Sequence, residues 1–409
     1  MNKTLKLAVA AALLAGASSA NAGIMIPAGD WTLDIGGVVN AYYTTTSFSG
    51  DDAAAGEYGN GDSVNNITTG LLPNYLSVSG KTRQNDLDVG FTISINPGSS
   101  TKNSGIQNQP SLGGNQENRQ AFLTFGDASW GSIKLGKDIG IYASDAILND
   151  MTLLGVGWNA GALAGNTTTL GRIGTGFMYA DWKSQIAYSS PNWNGFNFTV
   201  GVTQAWNVQG DTDPGSIDAT SSERGGSSPA FEGKASYAWT GDVAGKVWGS
   251  FISQKVEGLQ DSIGADLGDD RANAWDLGTT VNVAGFGLTA YYGEGDGTGT
   301  TVLLNRGYDS NGKARDSQDW YVQGTYTIAG PGTKLGVSYG ESELEGNSGE
   351  NFNDVTNDML TFGAYHPITK HLNLVAEYTV QESETNMVAA GDDTKVKAKT
   401  ISLGAILFF

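Results

Sequence analysis

The residues that most often carry out chemistry are scarce in this chain. It has no cysteine and only two histidines, His366 and His371, which flank one predicted turn. Cysteine nucleophiles and zinc–cysteine centres are therefore excluded, and nothing near the histidines completes a nucleophile–base set. The stretch "GSIKLGKD" at 131–138 approaches a phosphate-binding loop, but Asp138 stands where that loop needs Ser or Thr. The sequence therefore predicts no enzyme and no cofactor.

Charged side chains are the remaining groups that could act on a solute. The formal net charge is -19, with 42 acidic and 23 basic residues, which argues against a nucleic-acid partner. Two sets of charges stand out by position. The acidic set is Asp138, Asp145 and Asp150, and the basic set is Lys81, Arg83 and Lys134. Fixed charges of this kind can concentrate one sign of ion and repel the other.

The elements that must position these charges are β-strands. In "DLDVGFTISIN" at 86–96, apolar residues occupy every second position, and only a strand places such residues on one face. About 16 segments follow this pattern, mostly of roughly the 9–11 residues that a tilted strand needs to cross a bilayer. Short and long connections alternate between them. The predicted long connections are about 44–73, 96–118, 138–181, 206–229, 255–272, 294–318, 341–357 and 382–398. The fold class is therefore an all-β, antiparallel, transmembrane barrel.

A soluble β-sandwich also alternates apolar and polar residues and is the main competing fold. The difference in connection length between the two ends favours a barrel, because a sandwich does not require it. Aromatic residues also collect at strand ends, as in the interfacial girdles of membrane barrels. They are Trp31, Tyr43, Trp239, Trp275, Tyr292, Trp320 and Tyr339. A closed sheet, finally, leaves no exposed edge at either terminus.

The two termini have distinct signatures. Residues 1–22 combine Lys3 and Lys6, an apolar stretch and the motif Ala-Asn-Ala at 20–22, which predicts a secretory signal peptide. The remaining residues, 23–409, are predicted to form one barrel domain. The chain ends in "ISLGAILFF", which alternates as a final strand. We expect this strand to pair with the first one near Trp31 and to place Phe409 at the membrane interface.

Three stretches carry a resemblance to a known family. They are "ENRQAFLTFGDASWGSIKLGKDIGIY" at 117–142, "IAYSSPNWNGFNFTVGV" at 186–202, and the terminal "ISLGAILFF". In this order they resemble the general porins of Gram-negative bacteria. The resemblance implies a homotrimer of 16-stranded barrels in the outer membrane, in contact with lipid and lipopolysaccharide. It also implies a third loop folded into the lumen, and recognition of the aromatic last strand by the outer-membrane assembly machinery.

The resemblance gives the charged residues an expected role. The connection 138–181 would be the constriction loop, with Asp138, Asp145 and Asp150 facing basic residues of the wall. By strand parity Lys81, Arg83 and Lys134 point into the lumen and form the expected basic side. Other interpretations stay open: Asp145 or Asp150 could cap a turn. Lys234 and Lys334 also have lumen parity and could be merely solvated, whereas Arg119 has lipid parity.

The function expected from this resemblance is passive diffusion of small hydrophilic solutes and ions. Many acids fall in the predicted outer connections, which predicts a weak cation preference. They are Asp51, Asp52, Asp211, Asp213, Asp261, Asp266, Asp269, Asp270, Asp392 and Asp393. One alternative is a channel selective for sugars or small organic acids, with Tyr142, Trp158, Phe177 and Tyr179 as a stacking track. The other is a non-conducting surface or adhesion barrel.

Overall fold

A computed structural model of the chain describes residues 23–51, 60–101, 116–158, 165–210, 218–223, 225–301, 304–389, 391 and 393–409. The predicted signal peptide, 1–22, lies outside the described residues. So do Asp52, Asp211, Asp213 and Asp392.

Almost all regular structure in the described residues is β-strand. The strands are β1 Ile24–Ala28, β2 Trp31–Gly50, β3 Ser63–Thr68, β4 Tyr75–Gln84, β5 Leu87–Pro97, β6 Gln116–Glu117, β7 Ala121–Asp127, β8 Gly131–Ile139, β9 Trp182–Ser189, β10 Phe196–Thr203, β11 Thr220–Glu223, β12 Ala230–Trp239, β13 Val243–Gln260, β14 Asp266–Val283, β15 Phe286–Asp296, β16 Asp316–Thr327, β17 Lys334–Glu345, β18 Phe352–Pro367, β19 Leu372–Met387 and β20 Thr394–Phe408. One short helix, α1 Ser144–Leu148, lies between β8 and β9.

No helix within the described part of the chain is long and apolar enough to cross a membrane.

The strands form a closed antiparallel barrel with 16 strand positions, as the sequence predicted. Each position pairs with its sequence neighbours, and β20 pairs with β2 to close the sheet. Four positions are shared by two segments, because the strand is interrupted there. β3 and β4 both pair with β2, and β6 and β7 both pair with β5. In the same way β11 and β12 share β13, and β1 and β20 share β2.

Tight turns join the strands at one end of the barrel, which we call the turn end; the opposite end is the loop end. Asn85 and Asp86 connect β4 and β5 with φ angles of 49° and 62°. Positive φ at both central residues defines the hairpin turn whose twist matches that of the flanking strands, and Asn and Asp tolerate it well. Ala284 and Gly285 make a similar connection between β14 and β15, with φ of 49° and 89°.

The alternating pattern sorts side chains between the two faces of the sheet. In β2, Val38, Asn40 and Tyr42 point inward and are buried, whereas Val39 and Tyr43 point outward and are half exposed. Outward aromatic rings pair across neighbouring strands. Trp275 lies 5.7 Å from Tyr292, and Trp320 lies 5.7 Å from Tyr339, measured between ring centroids. An apolar, aromatic outer face is what lipid requires of a barrel.

Several strands are longer than predicted, so the boundaries of four long connections are wrong. β2 continues to Gly50, and β3 lies within the predicted connection 44–73. β13 continues to Gln260 and β14 begins at Asp266, which leaves a turn of 261–265 where the sequence predicted a loop of 255–272. The predicted loops 341–357 and 382–398 shrink in the same way, to 346–351 and 388–393. Register shifts between Val256 and Leu259 in β13, and between Phe352 and Asp354 in β18, break the alternation that reveals a strand.

The chain ends within the sheet rather than at its edge. Phe408 pairs with Val38, and the backbone of Phe409 exchanges hydrogen bonds of 2.8 and 3.1 Å with Gly37. The expectation that the end pairs near Trp31 is wrong, because β1 occupies that place: Ala28 pairs with Trp31. β1 therefore occupies, beside β2, the part of this strand position that β20 does not reach.

Phe409 offers a test of this closure. Its ring packs over Gly37, where an added Cβ would lie 2.7 Å from Cζ of Phe409. We expect Phe409→Lys to lower the yield of folded barrel, because it removes the ring that packs on Gly37 and adds a charge that costs up to about 1 kcal/mol on the lipid face near the interface. Phe409→Leu should fold nearly as well as the unchanged chain. The fraction of protein that resists unfolding in unheated detergent gels measures this, and normal folding with altered conductance would contradict it.

Candidate functional site

We call the connection between β8 and β9, residues 140–181, the inner loop, because its described parts are folded into the barrel. Its described parts, 140–158 and 165–181, contain α1 and two 3-10 turns, Met151–Leu154 and Gly171–Gly174. Tyr142, Val156, Ile173 and Phe177 are almost fully buried. Ile173 and Phe177 share a cluster with Tyr291 and Tyr321 of the strands, whereas Tyr142 and Val156 belong to two other clusters that also include strand residues. The apolar residues of this connection therefore form a core inside the barrel.

Glu232 of β12 holds the beginning of the inner loop. Its Oε2 accepts hydrogen bonds from the N–H groups of Ile141 and Tyr142, at 2.7 and 2.9 Å. Its Oε1 pairs with Nζ of Lys183 at 2.6 Å, and both side chains are buried. Lys183 follows the end of the loop in β9, and its Nζ lies 3.4 Å from the ring centroid of Trp206. One carboxylate thus ties the entry of the loop to its exit.

Glu377 of β19 holds the middle of the inner loop. Its Oε2 accepts the N–H groups of Val156 and Gly157 at 2.8 and 2.9 Å, and its Oε1 accepts the hydroxyl of Tyr365 at 2.7 Å. The approach is so close that a Cβ on Gly155 would lie 2.0 Å from Oε1. Buried amide groups need such acceptors, because an unpaired one is costly.

Further contacts fix the returning half of the loop. Asp319 of β16 accepts the N–H of Met178 at 2.6 Å. Arg172 is fully buried and donates to the carbonyl of Met359 and to Oγ of Ser338, both at 2.9 Å. The loop is therefore fastened to β12, β16, β17, β18 and β19. None of these anchoring acids was predicted, although acids on the inward face of a strand are the signal that could have revealed them.

Asp145 lies in α1 and pairs with two lysines of the wall. Its distance to Nζ of Lys234 is 3.0 Å, and it also pairs with Lys246 of β13. Burial alone would raise the pKa of Asp145, but the two lysines outweigh burial and hold that pKa below its ordinary value. Lys234 has the inward direction that parity predicted. The cluster of one acid and two bases carries a net positive charge.

Asp150 and Asp138 have different surroundings. Asp150 caps the turn Met151–Leu154: it accepts the N–H and hydroxyl of Thr152 at 2.9 and 2.6 Å. It also accepts the N–H of Arg172 at 3.2 Å. Asp138 belongs to β8 and pairs with Lys134 of the same strand, while Nε2 of Gln120 donates to it at 3.1 Å. The capping interpretation of Asp150 agrees with these contacts.

The three predicted wall bases lie apart from Asp145 and Asp150. Arg83 pairs with Asp88 at 2.9 Å and Asp127 at 2.8 Å, near the turn end. Lys134 pairs with Asp138, and Lys81 lies in β4 opposite Thr32. It stays a prediction that these three bases face the loop acids across a constriction and thereby select solutes.

Two other expectations fail. Tyr142, Phe177 and Tyr179 are buried at 5 % exposure or less, and of the four predicted residues only Trp158 is partly exposed, so they do not form an exposed stacking track. Arg119 does not face lipid. It is buried, pairs with Glu117 at 2.8 Å, and stacks on Trp182 at 5.6 Å from the ring centroid. The strand is interrupted at 118–120, between β6 and β7. The face of Arg119 was predicted by assuming an unbroken alternation through this stretch.

A closed barrel of 16 antiparallel strands, apolar outside and with a loop fastened to the inner face of its wall, defines a transmembrane β-barrel of the outer membrane. Residues 8–386 match the family model of the Gram-negative porins, and the chain belongs to that family. No curated protein sequence matches it.

Solved structures share the fold at low identity. The anion-selective porin of Comamonas acidovorans is 15% identical, with a TM-score of 0.58 and coverage of 93% of this chain and 100% of that one. The outer membrane channel DcaP of Acinetobacter baumannii is 17% identical, with a TM-score of 0.63 and coverage of 95% and 100%. OmpT of Vibrio cholerae in its trimer form is 14% identical, with a TM-score of 0.55 and coverage of 93% and 99%.

The anchoring role of Glu377 can be tested by hydrogen exchange. Glu377→Gln removes the charge and one of the two acceptor oxygens, so the amides of Val156 and Gly157 lose protection. We expect these amides to exchange about tenfold faster, as expected for loss of a hydrogen bond to a charged group. Glu384→Gln, at the exposed loop end, is the matched control. Equal exchange at 156–157 in both variants would contradict the anchor.

The contacts of Asp145 with the two wall lysines lead to a separate prediction about ion selectivity. Asp145→Asn leaves Lys234 and Lys246 uncompensated, so the reversal potential in a potassium chloride gradient should shift toward chloride. Asp150→Asn should shift it less, because Asp150 bonds to the loop itself and not to a wall lysine. Equal shifts of the reversal potential in the two variants would show that pairing with the wall lysines does not affect ion selectivity.

Proposed function

We propose that the barrel is a water-filled channel for passive diffusion of small hydrophilic solutes and ions across the outer membrane. The observation that carries the proposal is the polar inner face of the sheet below the inner loop. Ser79, Thr92 and Thr124, on neighbouring strands, all point inward and are partly exposed. Hydroxyl groups along the wall replace some of the water that a hydrated solute gives up.

A weak cation preference is the finer part of this proposal. Asp138 of β8 and Asp145 of the inner loop are matched by lysines of the wall, so these two acids contribute little net negative charge. Asp266, Asp269 and Asp270 at the loop end are exposed, and only Asp269 has a basic partner in an ion pair among the described residues, at 3.1 Å from Lys255. Their field draws cations to the mouth, weakly, because physiological salt screens it beyond about 8 Å.

The proposal also covers the oligomeric state, the membrane contacts and the export of the barrel. We infer a homotrimer, because OmpT of Vibrio cholerae, which has a similar fold, forms a trimer. The outward aromatic face would contact lipid and lipopolysaccharide, and the outer-membrane assembly machinery would recognise β20. Residues 1–22 would be removed on export, which leaves a single domain of 23–409. The turn end then faces the periplasm.

A planar lipid bilayer tests the channel. We expect stepwise conductance in potassium chloride and a reversal potential of the sign that favours potassium. Protein that has been heat-unfolded before addition is the control and should give no steps. A potential favouring chloride would overturn the cation preference alone. Absence of conductance from folded protein would overturn the channel and favour a non-conducting surface barrel.

A further inference from the structure

Two adjoining recesses of about 220 and 670 Å³ lie in the inner wall near the turn end. They follow two rows of inward residues that cross β2, β4, β5 and β7. The first row is Thr32, Lys81, Gly90 and Thr124, which are direct partners across the strands. The second row is Asp34, Ser79, Thr92 and Phe122. Strand register therefore brings a base, hydroxyls and one aromatic ring to a single patch of wall.

Lys81 differs from the other inward bases of this region. It is exposed and borders both recesses. Within the described ranges it has no ion-pair partner, whereas Arg83 pairs with Asp88 and Asp127, and Lys134 pairs with Asp138. Its ammonium group is therefore available to a solute carrying negative charge.

Asp34 is the acid closest to Lys81 in the two rows, and its carboxylate is already in contact with the backbone. A Cβ built on Gly23 would lie 1.8 Å from Oδ1 of Asp34, so this oxygen packs against Gly23. No ion pair between Asp34 and Lys81 is formed in the described structure. Asp88 and Asp127 of the larger recess pair with Arg83, and Asp30 is exposed at its border. Lys81 is thus the basic group of the recess that has no ion-pair partner among the described residues.

The rest of the recess suits a flat ring. Phe122 borders it with a partly exposed ring, and Nζ of Lys134 lies 4.9 Å from the centroid of that ring. Gly90 lies between Lys81 and Thr124 and carries no side chain, so the hydroxyl of Thr124 lies 3.0 Å from where a Cβ of residue 90 would be. The hydroxyls of Ser79 and Thr92 bond to each other at 2.9 Å and can also bond a solute.

We propose that this recess binds a small carboxylate that carries a flat apolar ring, as the solute passes through the channel. The inference rests on the proposed function and names one class of solute for it. The carboxylate pairs with Lys81, since charge-assisted hydrogen bonds are the strong ones. The ring packs on Phe122, since aromatic rings attract each other beyond their buried area. A neutral sugar would gain the hydroxyl contacts only.

Binding can be measured without conduction. Saturation-transfer NMR on the detergent-solubilised barrel, with benzoate as the probe, should detect contact with the ring protons. We expect Lys81→Gln to weaken benzoate binding about tenfold and Phe122→Leu to weaken it about threefold. Acetate, which lacks the ring, and benzyl alcohol, which lacks the charge, should bind more weakly than benzoate. Lys370→Gln, in an exposed turn at the same end, is the matched control and should bind as the unchanged barrel does.

Conductance measurements distinguish failure of the proposed binding site from failure of the proposed channel. Benzoate at millimolar concentration should reduce potassium chloride current through the unchanged barrel and through Lys370→Gln, and less through Lys81→Gln. Benzoate binding that is equal in all variants, or glucose binding as tightly as benzoate, would overturn the recess as a carboxylate site. A barrel that conducts nothing, yet binds benzoate in a Lys81-dependent way, would overturn the channel and keep the site.

Discussion

The hydrogen bonding of the backbone in lipid is the constraint on which the rest of this structure depends. Every N–H and C=O group within the bilayer must find a partner in the protein, which leaves a closed sheet as the only β solution. Here the closure is made by two ends of one chain, because β20 and β1 lie along the same side of β2. Closure also creates an interior. The backbone N–H and C=O groups of a chain segment placed there must likewise find hydrogen-bond partners.

The inner loop meets that constraint with carboxylates of the wall. Its backbone leaves regular structure at several points, so its N–H groups need acceptors that the loop cannot supply. Glu232, Glu377 and Asp319 each accept one or two of them. These acids therefore serve mainly as acceptors for the loop. A count of acids in a porin-like sequence overstates the charge that a solute experiences, because acids committed to the backbone are removed from the lumen surface.

Sequence reasoning reached the barrel and its 16 strand positions because lipid imposes a strict alternation on every crossing strand. It failed where that condition ends. The extension of β13 to Gln260 is invisible in the sequence because the register shifts between Val256 and Leu259, which breaks the alternation. Arg119 was assigned to the wrong face because the interruption between β6 and β7 shifts the alternation. Parity placed Lys234 inward, but no pattern in the sequence indicated that Asp145, 89 positions earlier, would fold back to meet it. Pairing across the lumen depends on the path of the loop.

The pattern of pairing, and not the net charge, then decides which groups remain to act on a solute. The chain carries a net charge of -19, yet Asp138 and Asp145 have lysine partners and Asp150 caps its own loop. Paired charges inside the barrel present dipoles, whose fields fall off faster with distance than those of single charges. An unpaired base such as Lys81 therefore exerts a larger local effect than its share of the total charge suggests. A wall can attract anionic solutes at one position while an acidic mouth favours cations, because each field is screened within about 8 Å.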